Sequence, residues 1–311
     1  MARDEVSFVN KFGDTMYGYA WTIKEPKGNV IIVTGMEEYA LRYDDFAKYL
    51  NENGYDVFCF DHYGQGLNAP TPEMQGVVPI SFFSKSVKNI DEIVTHCRVS
   101  CLPTTIIAHS MGSFMLQDYI QRFTEHINKV VLVGTNGPNA KFAYAFGKFI
   151  TRLCLTKKNR DKKFYKMNDL LFKQYEKHFD EVSESNWISL SKDNVIKYIV
   201  DPQTGYISTH GFFYEFMKGL NRLYKKKFLN KIRKDMNILI VAGDDDPVGA
   251  HGKGPAKLAK LYEKLGLENV ELHLYKDLRH EILNEDNKKE IYQDILAFVD
   301  RKCPKAESFL K

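Results

Sequence analysis

The stretch Ala108-His109-Ser110-Met111-Gly112 joins an apolar run at 104–107 to a helix-like segment at 113–120. A serine with small residues two positions before and after it, between a buried strand and a helix, is typical of a nucleophile elbow. The turn is so tight that bulky neighbours would collide, and its sharpness lifts the hydroxyl clear of the sheet. Ala108 stands where glycine is commoner, but a methyl group is compatible with that crowding. The stretch therefore predicts Ser110 as a nucleophile.

A nucleophilic serine needs a base, and the base needs a carboxylate that orients it. The strand-like run at 238–243 leads into three consecutive aspartates at 244–246, and the run at 270–275 leads to His280. Serine, acid and histidine thus follow the chain order of α/β-hydrolases, each just past the end of a predicted strand. Chymotrypsin-like and subtilisin-like enzymes have other orders. The order therefore predicts a serine hydrolase of the α/β type.

Strand-like and helix-like segments alternate along most of the chain. The patterns predict strands at 16–23, 29–34, 55–60, 104–108, 129–133, 238–243 and 270–275, and helices at 44–53, 82–97, from 111, 253–265 and 287–301. This alternation indicates a mostly parallel sheet with helices on both faces. Ligand chemistry in such sheets gathers at the carboxyl ends of the strands.

The alternation breaks between about Pro138 and Asp235, where the sequence is helix-like and rich in aromatic residues. The simplest interpretation is a helical lid inserted into one core domain. We therefore predict a first part of the core at 1–137, the lid at 138–235 and a second part of the core at 236–311.

Composition excludes several other classes of protein. A net charge of +4 over 311 residues is too small to indicate nucleic-acid binding. The five cysteines are odd in number and scattered, which favours free thiols in a reducing compartment; they are residues 59, 97, 101, 154 and 303. The N-terminus shows no signal peptide and no run is long enough to span a membrane, so we expect a soluble cytoplasmic protein.

Motifs spread over nearly the whole chain carry a family resemblance. Residues 34–43 are similar to a His-Gly-x-Gly-Glu-His-x-x-Arg-Tyr loop, and residues 60–66 to an Asp-x-Arg-Gly-x-Gly turn. Residues 246–254 and 279–285 are similar to the acid and histidine segments of the same group. The sequence resembles the monoacylglycerol lipase and lysophospholipase group of α/β-hydrolases, which is itself similar to some serine aminopeptidases.

The resemblance implies a role for each site residue. Ser110 would be the nucleophile, His280 the general base and then acid, and Asp246, the aspartate directly before proline, the orienting carboxylate. The backbone N–H groups of Met36 and Met111 would form the oxyanion hole. The alternative for Met36 is a core methionine. The resemblance implies no cofactor and no metal. His62 and His251 lie in predicted loops, where a histidine could bind a metal, but we do not expect them to do so.

The loop at 34–43 departs most from the group, because Thr34 and Tyr39 replace histidines and Glu37 replaces a glycine. If that glycine has a positive φ, Glu37 changes the backbone or stores strain. Tyr63 and Gln65 also differ from the residues of the group in the second motif, and we expect these differences to have structural consequences only. For His109, packing or support of its neighbours is the expected role.

Two features of the predicted lid have a structural and a functional interpretation. Its aromatic residues are core or line an acyl-chain channel; they are Phe142, Tyr144, Phe146, Phe149, Phe212, Phe213, Tyr214 and Phe216. Its basic clusters are solvated surface or attract an anionic lipid surface; they comprise residues 157–163, Lys225, Lys226, Lys227, Lys231, Arg233 and Lys234.

We therefore predict a carboxylic ester hydrolase that acts on monoacylglycerols, lysophospholipids or related acyl esters. A serine aminopeptidase or amidase of the same fold is one alternative, although the basic lid argues mildly against ammonium binding. A hydrolase-fold protein that binds ligands without catalysis is the other, and the complete set of serine, histidine and acid argues against it.

Overall fold

The computed structural model of this chain describes residues 3–97, 102–123, 125, 127, 129–138, 141–179 and 185–302. One sheet is built from β1 (Asp4–Val9), β2 (Thr15–Trp21), β3 (Gly28–Val33), β4 (Tyr55–Phe60), β5 (Thr104–His109), β6 (Lys129–Val133), β7 (Asn237–Gly243) and β8 (Asn269–Tyr275). Their order is β1-β2-β4-β3-β5-β6-β7-β8. The β1–β2 and β2–β4 pairs are antiparallel, and all others are parallel.

The helices outside the predicted lid are α1 (Asp44–Glu52), α2 (Phe82–Cys97), α3 (Met111–Tyr119), α9 (Lys253–Lys264) and α10 (Lys288–Asp300). They cover both faces of the sheet. The apolar sides of α2, α3 and α9 belong to one buried cluster, whereas those of α1 and α10 belong to another. The predicted sheet with helices on both faces is confirmed.

The central strands separate these two clusters because successive side chains of a strand point to opposite faces. In β3, Ile31 and Val33 lie in the first cluster, and Val30 and Ile32 lie in the second. Every residue of β3, β4, β5 and β6 is buried. Their continuous apolar runs are what a parallel sheet covered on both faces requires.

Between β6 and β7 lies the inserted segment, residues 138–235. Its helices are α4 (Lys141–Cys154), α5 (Tyr165–Glu176), α6 (Lys192–Val200), α7 (His210–Leu223) and α8 (Lys226–Leu229). In its described part the only β-pairing is an isolated bridge between Lys163 and Thr209. The described part of the segment is therefore helical, as predicted, and its role as a lid remains a prediction.

The aromatic residues of the inserted segment divide between core, cavity and surface. Phe212 and Phe213 are buried in the cluster that contains α2. Phe146 and Phe149 are 66% and 58% exposed, so neither interpretation of these two residues was right. The remaining aromatics fall into three groups: Tyr144 and Phe216 line the cavity described below, Tyr214 is half-buried, and the side chain of Phe142 lies outside the described part.

Membrane-spanning helices and the cysteines were also the subject of expectations. Within the described residues, no helix is long and apolar enough to cross a membrane. Cys59, Cys97 and Cys154 are free thiols, whereas Cys101 and Cys303 lie outside the described residues.

Candidate active site

Ser110 lies in the tight turn between β5 and α3, with a φ of 49° and a ψ of −117°. L-residues rarely adopt a positive φ, and such strain persists where the surrounding structure fixes it. The Ser110 N–H donates to the Val133 carbonyl at 3.0 Å, and the Ser113 N–H donates to the Ser110 carbonyl at 2.9 Å. A Cβ at Gly112 would lie 2.5 Å from the Thr34 carbonyl oxygen, so this position requires glycine.

His280 connects Ser110 to a buried carboxylate. Its Nε2 lies 2.8 Å from Ser110 Oγ, and its Nδ1 lies 2.9 Å from Asp246 Oδ2. The other carboxylate oxygen of Asp246 accepts the Val248 N–H at 2.8 Å. Because the carboxylate accepts the proton on Nδ1, Nε2 is free to accept the serine proton. The structure thus brings together the three residues predicted as nucleophile, base and acid.

The three consecutive aspartates have different partners. Asp246 is fully buried and contacts the histidine. Asp245 Oδ1 lies 3.1 Å from His251 Nδ1, and Asp244 Oδ1 accepts the Asp277 N–H at 2.6 Å. These geometries favour Asp246 as the acid and leave the other two as loop residues.

The N–H groups of Met36 and Met111 are candidates for an oxyanion hole. Met111 is the first residue of α3, where N–H groups have no acceptor within the helix. Neither N–H donates to a backbone or side-chain acceptor in the part of the chain that the structure describes. Both residues line the same cavity as Ser110. The Met36 side chain also packs on the core, as the alternative interpretation predicts, while its N–H remains a candidate donor.

The cavity beside Ser110 and His280 is walled mainly by apolar side chains. Phe114 and the two methionines come from the core, and the inserted segment contributes Tyr144, Leu171, Phe172, Trp187, Ile188 and Phe216. The Trp187 ring lies 5.3 Å from the His280 ring, centroid to centroid. The inserted segment therefore encloses the serine on one side.

Residues 24–287 match the family described as "Serine aminopeptidase, S33". The chain belongs to this family. It is 21% identical to a monoglyceride lipase of Saccharomyces cerevisiae over 96% of this chain and 93% of that protein. It is 22% identical to a monoacylglycerol lipase of Mycolicibacterium smegmatis over 96% of this chain and 97% of that protein. A probable lysophospholipase L2 of Haemophilus influenzae is 34% identical, over 33% of both chains.

Solved structures of an esterase and a lipase have the same fold. A carboxyl esterase from Bacillus coagulans, in complex with glycerol, superposes with a TM-score of 0.79 at 24% identity, over 96% of this chain and 98% of that one. The Saccharomyces cerevisiae monoglyceride lipase, in complex with a substrate analogue, superposes with a TM-score of 0.73 at 20% identity, over 96% of this chain and 95% of that one. The predicted α/β-hydrolase fold and the resemblance to the monoacylglycerol lipase group are confirmed.

Two of the residues by which this S33 member departs from the expected loop, Glu37 and Tyr39, contact the inserted segment. Glu37 keeps a left-handed backbone, with a φ of 57°, and its carbonyl accepts the Gly205 N–H at 3.1 Å. The Tyr39 hydroxyl donates to Asp201 Oδ2 at 2.6 Å. Burial raises the pKa of the Glu37 carboxyl to about 8. The departures thus attach the candidate oxyanion loop to residues 201–205, at the cost of local strain.

A buried charge cluster that was not predicted from the sequence lies beside the site. Arg42 donates to both oxygens of Glu281 at 2.6 and 2.7 Å, and to Glu38 Oε2 at 3.1 Å. Glu38 Oε1 lies 3.1 Å from His109 Nδ1, and the Asn194 amide donates to Glu281 at 2.8 Å. The sequence could have indicated this cluster in one way. Its members Glu38, His109 and Glu281 lie within two positions of the predicted site residues.

The two loop histidines have no metal-like surroundings. Burial lowers the pKa of His62 to about 4, and His251 pairs with an aspartate as described above. Among the described residues, no group of three histidine, cysteine, aspartate or glutamate side chains is arranged to hold a metal ion.

Proposed function

We propose that this S33 family member is a serine hydrolase that cleaves carboxylic esters, with monoacylglycerols or lysophospholipids as substrates and an acyl-enzyme on Ser110. The observation that carries the proposal is the buried hydrogen-bonded chain from Ser110 through His280 to Asp246, beside an apolar cavity. The names of the relatives, monoglyceride lipase and monoacylglycerol lipase, support ester chemistry.

The geometry supports a two-step mechanism. The Ser110 oxygen adds to the acyl carbonyl carbon while His280 Nε2 takes the hydroxyl proton, and Asp246 stabilises the resulting imidazolium. His280 then gives this proton to the departing alcohol, which leaves an acyl ester on Ser110. A water molecule, deprotonated by His280, then adds to the acyl carbon, and His280 returns this proton to Ser110 Oγ as the carboxylic acid leaves.

The oxyanion formed in each step requires donors that are already in place. In this mechanism the Met36 and Met111 N–H groups donate to it. Removal of one such donor from a serine hydrolase typically costs about 2.7–4 kcal/mol of transition-state stabilisation. The position of Met111 at the start of α3 adds the partial positive charge of a helix N-terminus.

The cavity walls favour an acyl chain as the group that binds beside the serine. Phe114, Tyr144, Leu171 and Phe216 offer apolar surface, and burying a hydrocarbon chain gains about 0.8 kcal/mol per methylene group. Because most of these walls come from the inserted segment, we propose that residues 138–235 act as the lid of the site.

The family description suggests an aminopeptidase as the second candidate. Such an enzyme needs a carboxylate that is available to a substrate ammonium group. Among the described residues that line the cavity, the carboxylates are those of Glu38 and Glu281. Arg42 is ion-paired with both, and His109 pairs with the first. Because their charges are compensated, the cavity favours an ester over a free ammonium group.

Hydrolysis of p-nitrophenyl butyrate and of proline p-nitroanilide separates the two candidates. We expect rapid ester hydrolysis that is lost in Ser110→Ala, and negligible release of nitroaniline. A panel of monoacylglycerols and lysophospholipids then defines the headgroup. Faster turnover of the anilide would overturn the proposal, and failure of a fluorophosphonate to label Ser110 would indicate a binding protein instead.

We also propose that the inserted segment contacts an anionic lipid surface. Phe146, Phe149 and Leu153 are exposed and share one face of α4, because residues three or four positions apart are neighbours on a helix. The exposed Lys157 and Lys158 follow two residues after the end of this helix. Exposed apolar side chains flanked by lysines suit the boundary between acyl chains and anionic headgroups.

A further inference from the structure

The side chain of Gln65 forms three hydrogen bonds with the loop that carries Met36. Its Nε2 donates to the carbonyl oxygens of Gly35 at 3.0 Å and Glu38 at 2.9 Å. Its Oε1 accepts the Glu37 N–H at 3.3 Å. The side chain is 1% exposed, so water does not compete for these bonds. The orientation of the amide is unambiguous, because the opposite one would place its oxygen against two carbonyl oxygens.

One of these bonds acts on the peptide group that holds the Met36 N–H. The Gly35 carbonyl and the Met36 N–H belong to the same peptide unit, and this bond is trans. In a trans peptide the C=O and the N–H point in opposite directions within one plane. A donor that fixes the Gly35 carbonyl therefore also fixes the direction of the Met36 N–H.

The neighbouring hydrogen bonds leave this one N–H available. The Gly35 N–H donates to the Glu38 carboxylate, and the Glu37 N–H donates to Gln65. The Met36 N–H between them has no acceptor among the described residues. The loop also lies against the proposed nucleophile, since a Cβ at Gly35 would lie 3.1 Å from Ser110 Cβ.

We propose that Gln65 is a positioning residue for the oxyanion hole, which holds the peptide plane between Gly35 and Met36 so that the Met36 N–H faces the reacting carbonyl oxygen. Donation to the Gly35 carbonyl also polarises this peptide and makes its N–H a stronger donor. The bond to the Glu37 N–H helps to hold Glu37, the residue with a left-handed backbone that follows Met36. Gln65 thus acts through Met36 and does not itself touch the substrate.

Gln65 is held firmly enough for this task. Its N–H donates to the His62 carbonyl at 3.1 Å, and its carbonyl accepts the Asn68 N–H at 2.9 Å. Asp61 in the same turn accepts both the Leu67 N–H at 2.8 Å and the Ala40 N–H at 2.7 Å. The turn is therefore connected to the oxyanion loop at both of its ends, through Gly35 and through Ala40.

The inference rests on the proposed function, and Gln65→Met is its first test. Methionine has a similar length and volume but forms none of the three bonds. With p-nitrophenyl butyrate we expect kcat to fall about 10- to 100-fold, somewhat less than for complete loss of one oxyanion donor, while KM changes less than about threefold. The inhibition constant of a trifluoromethyl ketone, whose serine adduct carries an oxyanion, should rise in proportion.

Gln121→Met is the matched control. Gln121 is also buried, and its Nε2 donates to the Leu223 carbonyl at 3.0 Å. It loses a buried hydrogen bond of the same type, far along the chain from the oxyanion loop. We expect its stability to fall by less than that of Gln65→Met, which loses three such bonds, and its kcat to stay within twofold of wild type. A folded Gln65→Met protein with wild-type kcat and inhibition would overturn the inference.

Gln65→Glu gives a second test that does not depend on the methionine variant folding. When the introduced carboxyl is protonated, it retains one O–H donor for a loop carbonyl; when ionised, it has none. The kcat of this variant relative to wild type should therefore fall as the pH rises, whereas a purely structural role predicts a constant ratio. A constant ratio in a folded variant would contradict the inference.

The rate of Ser110 labelling by a fluorophosphonate separates the two proposals. This reaction needs the same oxyanion donors but no ester substrate. If wild type labels rapidly without hydrolysing esters, the proposed function fails, and slower labelling of Gln65→Met still supports the role of Gln65. Equal labelling rates would overturn that role, and absence of labelling in wild type would overturn both.

Discussion

His109 Nδ1 lies 3.1 Å from Glu38 Oε1, so the residue before the proposed nucleophile is joined to the loop that carries Met36. His109 Nε2 also lies 3.4 Å from the His280 carbonyl oxygen. Burial disfavours charge on both partners, but their mutual attraction outweighs it and holds the pKa of Glu38 below and that of His109 above their ordinary values. This buried pair connects the loops that hold all the proposed reacting groups.

Glu38→Gln should therefore destabilise the protein. The change removes the carboxylate that faces His109 and Arg42, and the loss of one partner from a buried ion pair typically costs about 3–5 kcal/mol. Because the folded-state pKa of Glu38 lies below its unfolded value, its contribution is complete above the unfolded pKa and is lost as the pH falls through the folded one. Urea unfolding at pH 7 and in acid should show a difference from wild type that narrows in acid.

The exposed Glu25 provides the control for this variant. Glu25→Gln makes the same chemical change on the surface, where substitutions usually alter stability by less than about 0.5 kcal/mol. If Glu38→Gln were no less stable than Glu25→Gln, the charge cluster would not hold the loops together.

Asp246→Asn tests which of the three aspartates orients the base. An asparagine amide cannot accept the Nδ1 proton as a carboxylate does, so His280 would adopt the wrong tautomer and kcat should fall on the order of 10⁴-fold. Asp245→Asn is the matched control, because that carboxylate faces His251 and is partly exposed. Equal losses in the two variants, measured with p-nitrophenyl butyrate, would contradict the assignment.

The central strands could be predicted closely because they are buried on both faces, whereas the exposed edge strand β1 was not predicted. The predicted strands at 55–60 and 129–133 coincide with β4 and β6, and helix α2 has the predicted bounds. Boundaries differ where one face is open, as at β2, which ends at Trp21 rather than Ile23. The proximity of Ser110, Asp246 and His280 could also be predicted, because each follows a strand that ends at one edge of the sheet.

The hydrogen bonds that hold the candidate oxyanion loop could not be predicted from the sequence. Gln65 and Gly35 are 30 positions apart, and Arg42 and Glu281 are 239 apart. Polar pairs at such separations leave no periodic pattern, and their formation depends on the register of the whole sheet. Gln65 was expected to have structural consequences only, whereas its side chain contacts three residues of the loop.

Glu37 should make stability depend on pH in the direction opposite to Glu38. Its folded-state pKa is about 8, against an ordinary value of 4.5. Between these values the unfolded chain has released the proton and the folded protein retains it, so rising pH favours unfolding by up to about 1.4 kcal/mol per pH unit. Glu37→Gln lacks this term and should become progressively more stable than wild type from pH 5 to 8.

Urea unfolding of both proteins at several pH values measures this difference. Any other titrating group, such as Asp61, whose pKa is raised by burial to about 7, affects both proteins alike and cancels. Parallel pH dependences would show that the Glu37 carboxyl is hydrated or ionised in the folded protein.

The proposed contact of the inserted segment with anionic lipid depends on exposed lysines. Lys157, Lys158 and Lys162 are exposed, and each basic residue near an anionic membrane contributes about 1 kcal/mol. Changing all three to glutamine should weaken binding to vesicles containing phosphatidylserine on the order of 100-fold and leave hydrolysis of p-nitrophenyl butyrate intact. The matched control replaces Lys257, Lys260 and Lys264, three exposed lysines of α9, with glutamine. Co-sedimentation that falls equally in both triple variants would indicate attraction by net charge alone, and unchanged binding in the first would exclude this cluster as the contact.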